Sequence, residues 1–331
     1  MTGYTDQERQ DALSTLERLT NGDLDALSPK AWADVAAPFG RRSGSGVADV
    51  WRALHAALPD IERRDDIFLA GPNLPDTRWT ESRPDRMVAC CGSYVGTFRA
   101  PFCGIPPTGG VVQLAYGEAH HIVDGRIQAS WMLWDIAGLM QQTGCWPMAQ
   151  PLGTPGLWPA PKGGQGVRLR ASPELGALDR VLVMHGGLNT FDGKDIASID
   201  MSHWDPDFMY WAGGNIGACR GVDGFRAHHQ IPYRRAFPGA LGAGHFIRLS
   251  DGPFAVTGGD VAITHSGADY FGVPATGRSM IFRVMDFYRF NDAMRIAENW
   301  LPNDTIGLLS QMGVDVFARL AHLTGTPRRT L

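Results

Sequence analysis

The chain has 331 residues, is 44% hydrophobic and 19% charged, and carries a formal net charge of −4. These values suit a globular protein of about two domains with enough apolar residues to bury a core. They give no electrostatic case for nucleic acid or an anionic membrane surface, and no apolar run approaches the roughly 18 residues that a membrane span needs. The opening MTGYTDQERQ is polar, without the apolar stretch of a signal peptide. The cysteines (Cys90, Cys91, Cys103, Cys145, Cys219) are odd in number and include no Cys-x-x-Cys pair, which points to reduced thiols in a cytoplasmic protein.

Apolar spacing at Leu13, Leu16 and Leu19 predicts a helix over residues 5–20, stopped by Asn21-Gly22. A polar, Gly-rich stretch follows, to which the pattern assigns no element. Val47–Leu58 reads as an amphipathic helix ended by Pro59. Extended segments come next, at Ile61–Ala70, Arg86–Cys103, Val111–Val123 and Arg126–Trp134, with Asp124-Gly125 as a hairpin signal between the last two. Ile136–Thr143 returns to helical spacing and stops at Gly144. Residues 147–173, rich in Pro and Gly, read as a linker crossing the surface. Beyond it come helices over Pro173–Leu188 and near Val222–Arg235, and strands near Gly244–Ser250, Val261–Phe271, Ser279–Phe290 and Met294–Leu301. A last helix covers Thr305–Leu323.

The second series repeats the first. RIQASWMLWDIAGLMQQTG, starting at Arg126, has a near-copy in RIAENWLPNDTIGLLSQMG, starting at Arg295. Trp131 and Trp300, Asp135 and Asp304, and Gly144 and Gly313 are each separated by 169 residues, and GIPPTG at Gly104 and GVPATG at Gly272 by 168. Landmarks recurring in order at one long period predict two related domains, residues 1–146 and 174–331. Helices followed by a run of antiparallel strands make each an α+β domain.

Alternate positions of the long strands give two apolar faces, Val112, Leu114, Tyr116, Glu118, His120, Ile122 and Met280, Phe282, Val284, Asp286, Tyr288, Phe290. Each has a carboxylate near its middle. A dry, unpaired carboxylate would cost several kcal/mol, so Glu118 and Asp286 must each be partnered, with Arg283 and Arg289 as available donors, or face a cavity. The small residues of the opposite face, Ala115, Gly117 and Ala119, suit close packing of one sheet on another, with the two repeats back to back.

GIPPTG, a strand, Asp-Gly-Arg-Ile, Trp131, Asp135 and the Leu/Met–Gln–Gly helix together resemble the SnoaL-like polyketide cyclases, and THSGADYFGVPATGR with RIAENWLPNDTIGLLSQMG is similar to the same family. The likeness covers the last two thirds of each repeat. It implies a nuclear transport factor 2-like fold, in which a curved antiparallel sheet wraps against helices to form a cone with an apolar pocket. It also implies cofactor-free, metal-free intramolecular aldol chemistry on a small apolar carbonyl compound. Isomerisation, dehydration and hydrolysis in the same pocket, or ligand binding without turnover, are the alternatives. By the resemblance, Asp135 and Asp304 are acid/base residues and His121 belongs to the site. In the second repeat Arg289 stands at the place of His121, and the histidine there is His265, so the two sites are not equivalent.

The residues themselves leave alternatives open. Asp135 and Asp304 lie between a strand and a helix, where a carboxylate is either a desolvated base or a helix N-cap. His121 points to the face opposite Glu118 and His120, so only one of these sets can share a pocket with Asp135. His265 reads first as structural. Trp131, Trp300, Tyr116, Tyr288 and His120 are candidate substrate contacts. The doublets His120-His121 and His228-His229 give no metal spacing, and no P-loop, Gly-x-Ser-x-Gly or Gly-x-Gly-x-x-Gly motif follows a strand. A tandem chain is also expected to supply internally the dimer that single-domain relatives make from two chains, with or without further dimerisation.

Overall fold

A capping box starts the fold. Thr5 Oγ1 accepts from the Glu8 amide at 3.2 Å and Glu8 returns a carboxylate oxygen to the Thr5 amide at 2.7 Å, which fixes the first turn of α1 (Asp6–Thr20). The structure, a computed structural model, describes residues 3–190 and 195–325; the outermost residues of both expected domains, and residues 191–194, lie outside it. Helix α1 turns Leu16 and Leu19 inward. The chain continues as β1 (Leu27–Val35), β2 (Gly40–Ser43), α2 (Ser45–Ala57), β3 (Glu62–Pro72), β4 (Arg86–Thr97), β5 (Val111–Val123), β6 (Arg126–Trp134) and α3 (Ile136–Gln142).

The second copy runs α4 (Ala177–Asn189), β7 (Trp204–Ala212), β8 (Cys219–Arg220), then α5 (Gly221–Phe225), a π turn (Arg226–Gln230) and α6 (Ile231–Ala236). Strands β9 (Leu241–Asp251), β10 (Phe254–Thr264), β11 (Ser279–Phe290) and β12 (Ile296–Leu301) follow, and α7 (Thr305–Gln311) and α8 (Val316–Thr324) close the chain. Each copy builds one six-stranded sheet, in the orders β2-β1-β6-β5-β4-β3 and β8-β7-β12-β11-β10-β9.

Several expectations need correction, among them the strand expected over Arg86–Cys103, which ends at Thr97. The polar stretch after α1 forms β1 and β2, and β1 pairs parallel with β6, as β7 does with β12, so each sheet is mixed rather than wholly antiparallel. Strand β10 begins at Phe254 and ends at Thr264, earlier than the apolar run predicts, because Gly258 and Gly259 lie in its middle. A side chain at Gly258 would sit 2.8 Å from Phe246 and 2.9 Å from Ile247. The last helix is two, divided at Gly313, whose φ is +91°.

Two apolar layers organise the molecule. One lies between each sheet and its helices and includes Leu54, Tyr94, Tyr116 and Trp134 of the first copy and Phe208, Tyr210, Phe282 and Tyr288 of the second. The other lies between the sheets, where Leu69, Met87, Ala119 and Trp131 meet Phe246, Leu249, Met285, Phe287 and Trp300. Trp131 stacks on Phe246 with ring centroids 5.2 Å apart and planes 3° apart. At Gly117 a Cβ would fall 2.3 Å from Pro302, so the close approach of the sheets requires glycine there. The segment between the copies is pinned to both: Phe68 exchanges backbone hydrogen bonds with Gly166 and Arg168, and Thr154 with Ala218. Among the described residues, no helix is long and apolar enough to cross a membrane.

Candidate functional site

The two mid-sheet carboxylates occupy matching places and have opposite surroundings. Glu118 is fully buried and accepts hydrogen bonds from Tyr94 Oη at 2.7 Å, Trp134 Nε1 at 2.8 Å and Arg63 Nη1 at 2.9 Å; His120 Nε2 lies 3.1 Å away. Arg63 is held in turn by both oxygens of Asp65 at 2.8 Å, and Tyr116 donates to Asp65 at 2.8 Å. His120 Nδ1 lies 2.8 Å from Ser130 Oγ. Burial alone would raise the Glu118 pKa, but Arg63 and the hydrogen bonds outweigh it and bring it down to about 2. This half is filled by its own ion pair.

Asp286 has no such partner. Arg283 pairs with Asp34 and Asp260, and Arg289 with Glu298; among the described residues Asp286 makes no ion pair. It receives Asn299 Nδ2 at 3.1 Å and a hydrogen bond from Tyr288. It lines a cavity of about 180 Å³ between α4, the π turn and the sheet of the second copy, with Arg78 of the first copy also in its wall. Removal from bulk water pushes its carboxyl up to about 7, against the two hydrogen bonds that favour the charged form.

The sheet register explains the difference. Tyr94 lies four residues beyond Cys90, which faces Glu118; Val261 lies four beyond Thr257, which faces Asp286. Across from Tyr94 stands Arg63, and across from Val261 stands Gly242. An arginine and a tyrosine that fill the first copy are replaced by a glycine and a valine, and Asn303 takes the place of Trp134. Gly242 and Val261 both line the cavity.

Histidines surround the remaining space. His185 Nε2, on α4, lies 3.2 Å from Tyr288 Oη, and burial pulls its pKa down to about 3. His229, on the π turn, packs against Tyr210 and Tyr233 and is likewise drawn down to about 3 by burial. His245 stacks on His185, centroids 5.5 Å apart. With Tyr210, Phe225 and Phe282 in the walls, the arrangement is an apolar chamber holding a carboxyl that can change protonation near neutral pH.

The aspartates of the repeated motif lie elsewhere. Asp135 Oδ1 accepts from the Gly138 amide at 2.7 Å, capping α3, and from the Gly214 amide of the other copy at 3.0 Å. Asp304 Oδ1 accepts from Gly307 at 2.7 Å, capping α7, and its two oxygens lie 3.3 and 3.2 Å from the Ala37 amide of the first copy. Each carboxylate thus caps its own helix and clips the opposite copy. Burial raises both pKa values against these amide hydrogen bonds.

Residues 10–143 and 187–312 each match the profile of SnoaL-like polyketide cyclases. The chain belongs to that family. No curated protein matches it. Among solved structures it is similar to TsrD from Streptomyces laurentii (20% identity over 43% of this chain and 98% of that one, TM-score 0.35) and to AclR from Streptomyces galilaeus (20%, 41% and 95%, 0.35). It is also similar to an NTF2-like protein of unknown function from Burkholderia pseudomallei (15%, 43% and 100%, 0.34). This SnoaL-like protein carries two α+β domains of matching strand order in tandem.

The other residues singled out in this SnoaL-like sequence are dispersed. His121 turns to the outer face, its Nδ1 3.3 Å from Arg86 O, beside a surface groove lined by Trp32 and Arg83. His265 is buried and holds its loop together through Ala268 O at 3.0 Å and Thr276 Oγ1 at 3.5 Å. Trp131 and Trp300 lie between the sheets, and Trp300 Nε1 donates to Pro159 O at 2.9 Å. Tyr116 and His120 belong to the Glu118 network, whereas Tyr288 joins Asp286 in the cavity. Among the described residues, no three of His, Cys, Asp and Glu gather closely enough to hold a metal ion. Sequence reasoning missed His185, His245 and Gly242, which lie outside the repeated motif; only the strand register, with Gly242 opposite Val261, marks where the filled half and the open half part ways.

Proposed function

We propose that the second domain is the working half of a cofactor-independent proton-transfer enzyme and that Asp286 is its acid/base. The observation that carries this reading is a carboxyl in the wall of an apolar cavity, with no ion-pair partner among the described residues; removal from water pushes it up to about 7. A general base works best when its pKa lies near the working pH. As carboxylate, Asp286 would take a proton from a carbon next to a carbonyl, leaving an enolate. In an aldol ring closure, the enolate carbon bonds to a second carbonyl carbon of the same molecule, whose C=O π pair becomes an alkoxide. Asp286 then returns the proton to that oxygen. Asp135 and Asp304 would serve as caps and clips, and the first domain, its interior taken up by Arg63 and Glu118, as a scaffold.

The cavity favours a compact substrate. A cavity of about 150 Å³ takes a benzene molecule, so about 180 Å³ suits an apolar carbonyl compound of one or two rings. That size supports isomerisation, in which the enolate is reprotonated at another carbon, as a second reading beside ring closure. The back-to-back domains would stand in for a two-chain dimer, and the free, buried cysteines support a cytoplasmic setting.

Simple aromatic ketones of that size serve as probes. Incubated in D₂O with 1-indanone or 2-tetralone, the wild-type protein should speed deuterium entry at the carbon next to the carbonyl, followed by NMR. Asp286→Asn should slow it at least about 100-fold, while Asp135→Asn leaves it within about twofold. Equal exchange by wild type and Asp286→Asn would remove Asp286 from the mechanism.

A further inference from the structure

One wall of the cavity is built by the first domain. After β3, residues 73–79 run along the edge of β9: Leu74 N donates to Arg248 O at 2.8 Å, Arg248 N to Asn73 Oδ1 at 2.9 Å, and Asn73 Nδ2 to Phe246 O at 3.1 Å. The approach is so close that a Cβ on Gly244 would fall 2.9 Å from Trp79 N. This strap sets the buried Asp76 against His245. Asp76 Oδ2 accepts from the His245 amide at 3.0 Å, from Arg78 Nη2 at 2.9 Å and from Arg248 Nη2 at 2.7 Å. Burial opposes the charge of Asp76, but these partners hold its carboxyl well below the usual carboxylate range. Arg78 and His245 both line the cavity.

From Asp76 a line of contacts leads to Asp286. Asp76 Oδ2 lies 3.0 Å from His245 Nδ1, to which Arg248 Nε donates at 3.1 Å, so Asp76 fixes the ring through its amide and through the arginine it holds. That ring stacks on His185, centroids 5.5 Å and planes 15° apart, within the range that favours paired rings. His185 Nε2 lies 3.2 Å from Tyr288 Oη. Tyr288 stands two residues from Asp286 on the same face of β11; its hydroxyl donates to Asp286 and accepts from Thr257. A phenol has one proton to give and two lone pairs to offer. With the proton on Asp286 and Thr257 on one lone pair, the other is left for His185. Burial keeps His185 neutral, and its single N–H, at Nε2, completes the set.

Building on the reading of the second domain as the working half, we infer that Asp76, from the first domain, is a positioning residue for Asp286: through His245 and His185 it holds the Tyr288 hydroxyl on the carboxylate. Burial, Asn299 and Tyr288 set the Asp286 carboxyl, without a direct contribution from Asp76, Arg78 or Arg248, so influence from the strap has to pass through the rings. The other titratable groups against Asp286, Tyr210 on β7 and Tyr233 on α6, are phenols that burial keeps neutral. A donor held on a carboxylate favours its charged form, and the first domain thereby tunes a base that belongs to the second.

The test reads Asp286 itself, without any ligand. In ¹³C spectra of aspartate-labelled protein the Asp286 carboxyl is identified by its loss in Asp286→Asn and then titrated. Tyr288→Phe, which removes the donor, should raise its midpoint by about 0.5 to 1 pH unit, the worth of one hydrogen bond. Asp76→Asn should move it the same way and, added to Tyr288→Phe, should change nothing further. His245→Ala, which removes the stack and leaves Asp76 its arginines, should match Asp76→Asn and gives the same test should that variant fail to fold. A midpoint unmoved by Asp76→Asn and His245→Ala, or a shift that persists in the Tyr288→Phe background, overturns the inference. Deuterium exchange into 1-indanone by folded Asp76→Asn should have its pH profile displaced by the same interval. Exchange that ignores Asp286→Asn while the midpoints stay coupled would instead strike the proton-transfer reading alone.

Discussion

Asp286 and Glu118 occupy one position in two copies and respond to pH with opposite sign. The Asp286 carboxyl moves from 3.8 to about 7 in the folded protein, so the folded state holds that proton more tightly than the unfolded chain. Its contribution to stability is therefore full below 3.8 and is lost as pH rises to about 7, a difference of roughly 4 kcal/mol before water entering the cavity reduces it. Glu118, brought down to about 2, contributes above its unfolded value of 4.5 and loses that contribution as pH falls towards 2. Asp286→Asn should thus melt at a higher temperature than wild type at about pH 8.5, and the gap should narrow by about pH 5. A constant gap in calorimetric scans across that range would show that the carboxyl titrates normally. Stability and the proposed chemistry pull against each other at this residue.

At the scale of elements, the repeated Asp-x-x-Gly at Asp135–Gly138 and Asp304–Gly307 is explained by geometry. The carboxylate folds back over the third residue of its helix so closely that a Cβ there would lie 2.3 Å from it. Asp135→Ala and Asp304→Ala each remove a cap, worth about 1 kcal/mol, and strand an amide of the opposite copy, a further 1–3 kcal/mol or so. Each should lower stability by roughly 2 kcal/mol or more in urea titrations, and the deuterium-exchange rate of the surviving folded protein should not change.

The long hairpin strands, the closing helices and the repeat were legible because alternation, Asp124-Gly125 and the 169-residue spacing are local or self-aligning signals. Strand β1 was not, since Pro29 and Lys30 interrupt it where its register with β6 shifts. Nor could the pattern tell which of two similar apolar faces is hollow. Alternation placed Glu118 and Asp286 in mid-face, but Arg63 and Gly242, which set their surroundings, come from separate strands and align only once the register is known.

For the molecule as a whole, the layer between the sheets matters most. Ile67, Leu69, Phe246, Leu249 and Phe287 are all fully buried there, so the apolar outer face that a lone domain would present to water is already covered. The Arg9–Asp251 and Arg283–Asp34 ion pairs join the same halves. Light scattering should accordingly give the mass of one 36.0 kDa chain; twice that mass would reveal another apolar surface that needs covering.

The strap that carries Asp76 has a consequence for dilution. Were the two halves separate chains, the wall supplied by one to the other would be lost once their concentration fell below the dissociation constant. Residues 147–173 hold them in a single polymer, where the local concentration of one half around the other is on the order of millimolar or more. Specific activity per chain should then stay flat down to the most dilute assay that can be read.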